Sequence, residues 1–232
     1  MDPRHLFADE RFSGSCVFCG AVPESRDHCP SKVLLDEPFP SNLPVVDACT
    51  ACNNSFSNDE LYLACLIEAV ISGSTSPELV SRANIRRLFA ENPAIAARIG
   101  KSRRVSPSSE ILWDLETERV QRVVLKLARG HIAYELSLPR TEEPESISFA
   151  PLITMTADQR AAFESPEQSC FAPWPEIGSR AFIRASQLFG PGSPSTQWVV
   201  VQPGRYRYLV GQSEDFVHMV LSEYLACRVV WN

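Results

Sequence analysis

Four cysteines in two C-x2-C pairs, Cys16/Cys19 and Cys49/Cys52, mark where this chain could do chemistry. Each short turn presents two thiolates to one ion, and two such turns complete a tetrahedral zinc site. A site closed by four thiolates keeps no position for substrate, so the metal implied is structural. Between and just after the pairs lie Asp27-His28, Asn42 and Asn53. A clamp of this kind could hold those polar side chains in place.

The elements that must position them are short. Cys16 to Gly20 has the form of a tight knuckle, in which the glycine allows a positive φ. Pro23, Pro30, Pro38, Pro40 and Pro44 keep the next stretch out of long helix, leaving extended pieces near Arg26 to Cys29 and Leu43 to Val46. After Asp47 the pattern turns helical, with one helix expected at the second cysteine pair and another at Ser57, where Ser57-x-x-Glu60 fits a capping box. That second helix should stop at Gly73. Caps at Ser76-Pro77 and Asn92-Pro93 predict helices over about 77–91 and 93–102. Val120, Val123, Val124 and Leu127 predict a further helix from Thr117 to Gly130, with Arg119, Arg122, Lys126 and Arg129 on its solvent side. From His131 onward the runs HIAYELSL, ISFAPLIT, RAFIRAS, QWVVV, RYRYLVG, DFVHMVL and CRVVW read as strands between proline-rich turns at 139–144, 166–175, 191–194 and 202–204.

The fold class expected is α+β. It divides into an N-terminal extension (1–13), a zinc-stabilised module (14–75), a basic helical segment (76–105) and a C-terminal α+β domain with mostly antiparallel strands (106–232). With 44% hydrophobic and 22% charged residues the composition is that of a globular protein with a core of its own. No apolar run reaches about 18 residues and the first residues lack the basic-then-apolar order of a signal peptide, so the reading is cytoplasmic, without a membrane. Cys29, Cys65, Cys170 and Cys227 are then buried thiols rather than disulfides. His5, His131 and His218 read as packed or surface residues, and Tyr206, Tyr208, Trp198 and Trp231 as core. The net charge of −6 argues against a surface that coats nucleic acid throughout. Arg82, Arg86, Arg87, Arg98, Lys101, Arg103 and Arg104, however, face Glu91 alone over residues 82–104, a local charge of +6 that can meet a phosphate backbone.

The ordered string C-x2-C-G, Arg-Asp-His, Asn-Leu-Pro, C-x2-C-Asn resembles the HNH endonucleases over roughly Cys16 to Ile71. The resemblance implies a ββα-metal, treble-clef-like module, making 14–75 a nuclease module with structural zinc. It implies that His28 is general base, that Asp27 and Asn53 hold a catalytic Mg²⁺ or Mn²⁺, and that Asn42 braces the loop that aims the histidine. Such a site hydrolyses DNA to a 5′-phosphate and a 3′-hydroxyl. Histidine suits the base role because its unperturbed pKa of about 6.5 leaves it largely neutral near pH 7. Carboxylate and amide oxygens suit a hard ion. Many relatives carry a lysine three residues after the last asparagine, where this chain has Phe56. By the same resemblance the chain could belong to a bacterial restriction or anti-phage defence system, beside a protein partner such as an ATPase. The alternative is a zinc-binding adaptor without catalysis. Asp59 and Glu60 read as helix-capping acids.

Overall fold

The helical and β-prone patterns condense around one long helix that is buried on two sides. The computed structural model describes residues 14–137, 139–165, 180, 198–211 and 216–231. The N-terminal extension, His5, Cys170, the RAFIRAS run beyond Arg180 and the turns expected at 166–175 and 191–194 lie outside the described residues.

Strands β1 (Ser25–His28) and β2 (Val45–Ala48) form an antiparallel hairpin in which Asp27 faces Val46 and His28 faces Val45. Two helices follow, α1 (Thr50–Ser55) and α2 (Ser57–Ser72). Gly73 ends α2 with φ 67° and its N–H on the last carbonyls, the left-handed conformation that glycine tolerates best. The capping box expected at Ser57 does not form. Phe56 joins α1 to α2 in helical conformation, no side chain caps α2, and Glu60 turns away to an ion pair. Helix α3 (Ala83–Glu91) begins later than expected, because residues 77–79 form a turn, whereas α4 (Pro93–Gly100) starts where Asn92 accepts from the Ile95 N–H. A small hairpin, β3 (Arg103–Val105) with β4 (Ile111–Trp113), leads to helix α5 (Thr117–Leu136).

Helix α5 corrects two expectations. It runs through Gly130, and the HIAYEL stretch expected as strand is its last turns. The reason is tertiary. Ala128, Ile132 and Leu136 continue the apolar stripe begun by Val120, Val123, Val124 and Leu127, so burial of one continuous face outweighs the β preference of the individual residues. Gly130 serves close approach instead of termination: a Cβ there would stand 2.6 Å from Cys29 Sγ. That thiol itself donates to the Leu127 carbonyl at 3.3 Å.

The C-terminal strands form one antiparallel sheet in the order β5 (Ser146–Pro151), β9 (Leu225–Val230), β8 (Phe216–Leu221), β7 (Tyr206–Gly211), β6 (Val199–Gln202). Alternation along β8 gives each face its own core. Val217, Met219 and Leu221 join α5 and α2, whereas Phe216 and Val220 pack with Leu152, Trp198 and Phe163, the last on α6 (Ala157–Glu164). One apolar cluster therefore extends from Cys29 and Leu35 through α2 and α5 to Tyr206 and Trp231, across the boundary drawn at 105/106. Tyr206, Tyr208, Trp198 and Trp231 are buried, as are Cys29, Cys65, Cys227, His131 and His218. No helix among the described residues is long and apolar enough to cross a membrane.

Two measurements test this packing. Gly130→Ala gains about 1 kcal/mol of helix propensity but forces a methyl group onto the Cys29 thiol, and overpacking of this kind costs about 1–3 kcal/mol. Urea unfolding should show net destabilisation, smaller in a Cys29→Ala background; equal losses in both backgrounds would exclude the clash. His218 stacks on Phe163 with ring centroids 4.6 Å apart, and burial lowers its pKa to about 4. Its folded form therefore binds fewer protons than the unfolded chain between pH 6.5 and 4. Stability from this group is complete above pH 6.5 and falls on acidification through that window, by about 3 kcal/mol in all. His218→Phe should remove that part of the slope in unfolding midpoints taken across the same range.

Candidate functional site

Local backbone geometry assembles the four thiols. Gly20 N–H donates to Cys16 O at 2.8 Å and Cys16 N–H to Ala21 O at 2.7 Å, closing the first knuckle with Gly20 at φ 76°. Val17 N–H binds Asp47 O at 3.0 Å and ties that knuckle to β2. The second pair opens α1, where Cys49 Sγ accepts from the Cys52 N–H at 3.3 Å. That hydrogen bond is the largest cause pulling the Cys49 thiol down to about 7, whereas burial and the neighbouring sulfurs push Cys52 up. All four Sγ atoms lie within 4.8 Å of one another, and Cys19 and Cys49 are 3.7 Å apart. A tetrahedron with Zn–S bonds of about 2.3 Å has edges of about 3.8 Å, so the donor set fits a structural zinc ion.

Asn53 stands one residue past this cluster and works as a staple. Its Nδ2 donates to Ser25 Oγ (3.2 Å) and to the Arg26 carbonyl (3.3 Å), while Ser25 Oγ donates to Ala48 O (2.9 Å). Helix α1 is thereby fixed to the first strand of the hairpin. Asn42 lies exposed in the turn before β2. His28 ends β1 and is half-buried, and strand alternation puts it with Arg26 on the face opposite Asp27. The adjacent Asp27-His28 pair is thus divided between two environments.

Asp27 faces inward and meets an ammonium. Lys126 Nζ, from α5, lies 2.7 Å from Asp27 Oδ2, 2.5 Å from Glu60 Oε1 and 2.7 Å from Ser31 Oγ. Ser31 in turn donates to Glu60. The lysine is only 2% exposed, Glu60 6% and Asp27 8%, so these charges compensate one another rather than being compensated by water. Burial opposes the lysine's charge, but Glu60 and Asp27 together hold the ammonium above its ordinary value, whereas burial holds the Asp27 carboxyl above its own despite the pull of Lys126. The rings of Phe18 and Phe56 stand 5.9 and 5.8 Å from Nζ. One turn away, Asp59 is bonded to Arg119 Nε at 2.5 Å and to Arg122 Nη1 at 2.8 Å. Of the four cations expected on the solvent side of α5, Arg119, Arg122 and Lys126 therefore turn toward the module, and Arg129 donates to the Thr141 and Glu142 carbonyls. Helical spacing aligned Arg119, Arg122 and Lys126 on one face; what the chain order hid was the acids opposite them.

A divalent ion on Asp27 and Asn53 does not fit this arrangement. The Asp27 carboxylate is engaged by an ammonium, which leaves the expected pair no free anionic ligand for a divalent ion. Among the described residues, the cysteine cluster is the one group of three or more His, Cys, Asp or Glu close enough to hold a metal. Asp59 and Glu60 lie in the first turn of α2, but no side chain caps its free N–H groups.

The basic segment is also less uniform than its composition. Arg82 is buried, bonded to Asp36 at 2.7 Å and to the Val33 and Leu35 carbonyls at 2.9 and 2.6 Å, so it is corrected from a phosphate contact to a core strut. Arg98 pairs with Glu116 at 2.8 Å, and Arg104 pairs with Asp114. Arg86 donates to the Val80 and Ser81 carbonyls and Arg103 to that of Gly73. Arg87 and Lys101 are exposed.

Cobalt(II) tests the thiolate cluster by its spectrum. The reconstituted chain should show thiolate-to-cobalt charge transfer and tetrahedral d–d bands, both lost in Cys49→Ser; octahedral spectra, or none, would refute a four-sulfur site. Comparison of the chain with protein-family models, with curated proteins and with solved structures found no match.

Proposed function

We propose that this chain is an HNH-type nuclease that hydrolyses DNA phosphodiester bonds, with residues 16–71 acting as its ββα-metal module. The observation that carries the reading is the clamping of the strand ending in Asp27-His28 from both directions. Four cysteines that fit zinc secure β2 and α1, and the Asn53 amide bonds the backbone of β1. A base held on so fixed a strand can orient a water for in-line attack.

In the step proposed, His28 takes a proton from water as the oxygen attacks phosphorus. The bond to the 3′-oxygen breaks, leaving a 5′-phosphate on one side and, after protonation, a 3′-hydroxyl on the other. Cys16, Cys19, Cys49 and Cys52 would hold zinc, which would supply rigidity alone, since four thiolates leave no position for substrate. The exposed cations Arg86, Arg87, Arg98, Lys101, Arg103 and Arg104 on α3, α4 and the loop and strand that follow would bear on the phosphate backbone, adding affinity that falls with salt. A second reading, a zinc-binding adaptor without catalysis, draws support from the burial of Asp27 against Lys126.

Cleavage of supercoiled plasmid by zinc-loaded protein separates the two. His28→Ala should lose about 10²- to 10⁴-fold in rate with an unchanged circular dichroism spectrum. Equal cleavage by the variant would overturn the base assignment, and zinc-dependent DNA binding without cleavage would favour the adaptor.

A further inference from the structure

We propose that the Lys126 ammonium is the resident cation of the Asp27/Glu60 carboxylate pair, standing where a divalent ion would otherwise sit, so that the pair takes up no Mg²⁺ or Mn²⁺ while the lysine is in place. The role rests on the nuclease reading only in making Asp27 a position of interest, and it is tested by metal binding without cleavage.

The coordination of the ammonium carries the assignment. Lysine has three N–H donors, and three acceptors surround Nζ within 2.7 Å: Asp27 Oδ2, Glu60 Oε1 and Ser31 Oγ. Nζ donates hydrogen bonds to Glu60 and Ser31 and meets Asp27 as an ion pair, so the buried nitrogen is shared by the two carboxylates as a bridging ion would be. A divalent cation bound beside it would bring three positive charges against two negative ones in a region closed to water, where like charges are poorly screened. The neighbouring charges balance among themselves, because Arg119 and Arg122 meet Asp59 and Arg119 also meets Glu116 at 3.5 Å. The flanking Phe18 and Phe56 rings line the cation without offering an oxygen to a hard metal.

Lys126 is accordingly a positioning residue. It is 2% exposed and does not reach substrate. It fixes the Asp27 carboxylate, and with it the strand on which His28 sits, by a cation tethered to α5 instead of one drawn from solution. Any Mg²⁺ dependence of the protein would then arise elsewhere than at Asp27.

Manganese electron paramagnetic resonance on the zinc-loaded full chain tests this. Wild type should leave Mn²⁺ in solution, and Lys126→Met, which keeps the length of the side chain without its charge, should bind one Mn²⁺ at least tenfold more tightly than wild type. That binding should vanish in Lys126→Met/Asp27→Asn, and Mn²⁺ should raise the melting temperature of Lys126→Met but not of wild type. Mn²⁺ bound by wild type and lost in Asp27→Asn would overturn the proposal, and so would a folded Lys126→Met that gains no site. Should Lys126→Met fail to fold, the comparison of wild type with Asp27→Asn still decides. A wild type that does not cleave DNA bears on the nuclease reading alone.

Discussion

A charge removed from water must be matched by charge or hydrogen bonds from the protein, and at Lys126 this requirement joins parts of the chain that share no local pattern. Its carboxylates come from β1 and from the first turn of α2, its hydroxyl partner from the loop between the strands, and the ammonium itself from α5. Each charged partner alone would be buried and uncompensated. Together they make the docking of α5 a condition of folding the hairpin.

Helix α5 can meet that condition because its other faces are equally engaged. Val120, Val124, Leu127 and Ile132 fill the space between α2 and the inner face of the five-stranded sheet. A second ionic network repeats the arrangement at the rim. Asp36, just beyond the loop after His28, is shared by Arg82 and by Arg205 from the β6–β7 turn, and Arg205 also reaches Glu68 at 2.9 Å. The Gln202 amide completes it, accepting from the Asp36 N–H at 2.8 Å and donating to the Asp36 carbonyl at 2.9 Å as a neighbouring strand would. Zinc-type clamping on one flank and these polar ties on the other leave the Asp27-His28 strand little freedom.

How much of this could be read from the chain depended on how far apart the partners lie. The cysteine cluster was legible because each pair is encoded by a spacing of three. The strands β5 and β7 to β9 were legible because alternation and turn residues mark them locally. Over residues 131–136 the β preference of Ile132 and Tyr134 points locally to a strand, although the helical period of the buried positions continues past Gly130. That glycine looked like a stop, and its true reason is the Cys29 thiol across the interface. Arg82, counted with a basic stripe, is buried because its partners are Asp36 and the Val33 and Leu35 carbonyls. The Lys126 site was invisible for the same reason, since its partner Glu60 lies 66 residues away and an ion pair leaves no periodicity behind.

The shared core bears on modularity. A fragment ending at residue 105 would retain the four cysteines, the hairpin and α2, and so everything in the motif by which such a module is recognised. It would also carry Asp27, Asp59 and Glu60 while leaving behind Lys126, Arg119 and Arg122, which neutralise them. The motif is therefore portable as a sequence but not as a body. Grafting it into another scaffold requires a foreign helix with cations at the same spacing, and any genetic fusion that separates the two halves breaks the charge balance before it disturbs a single metal ligand.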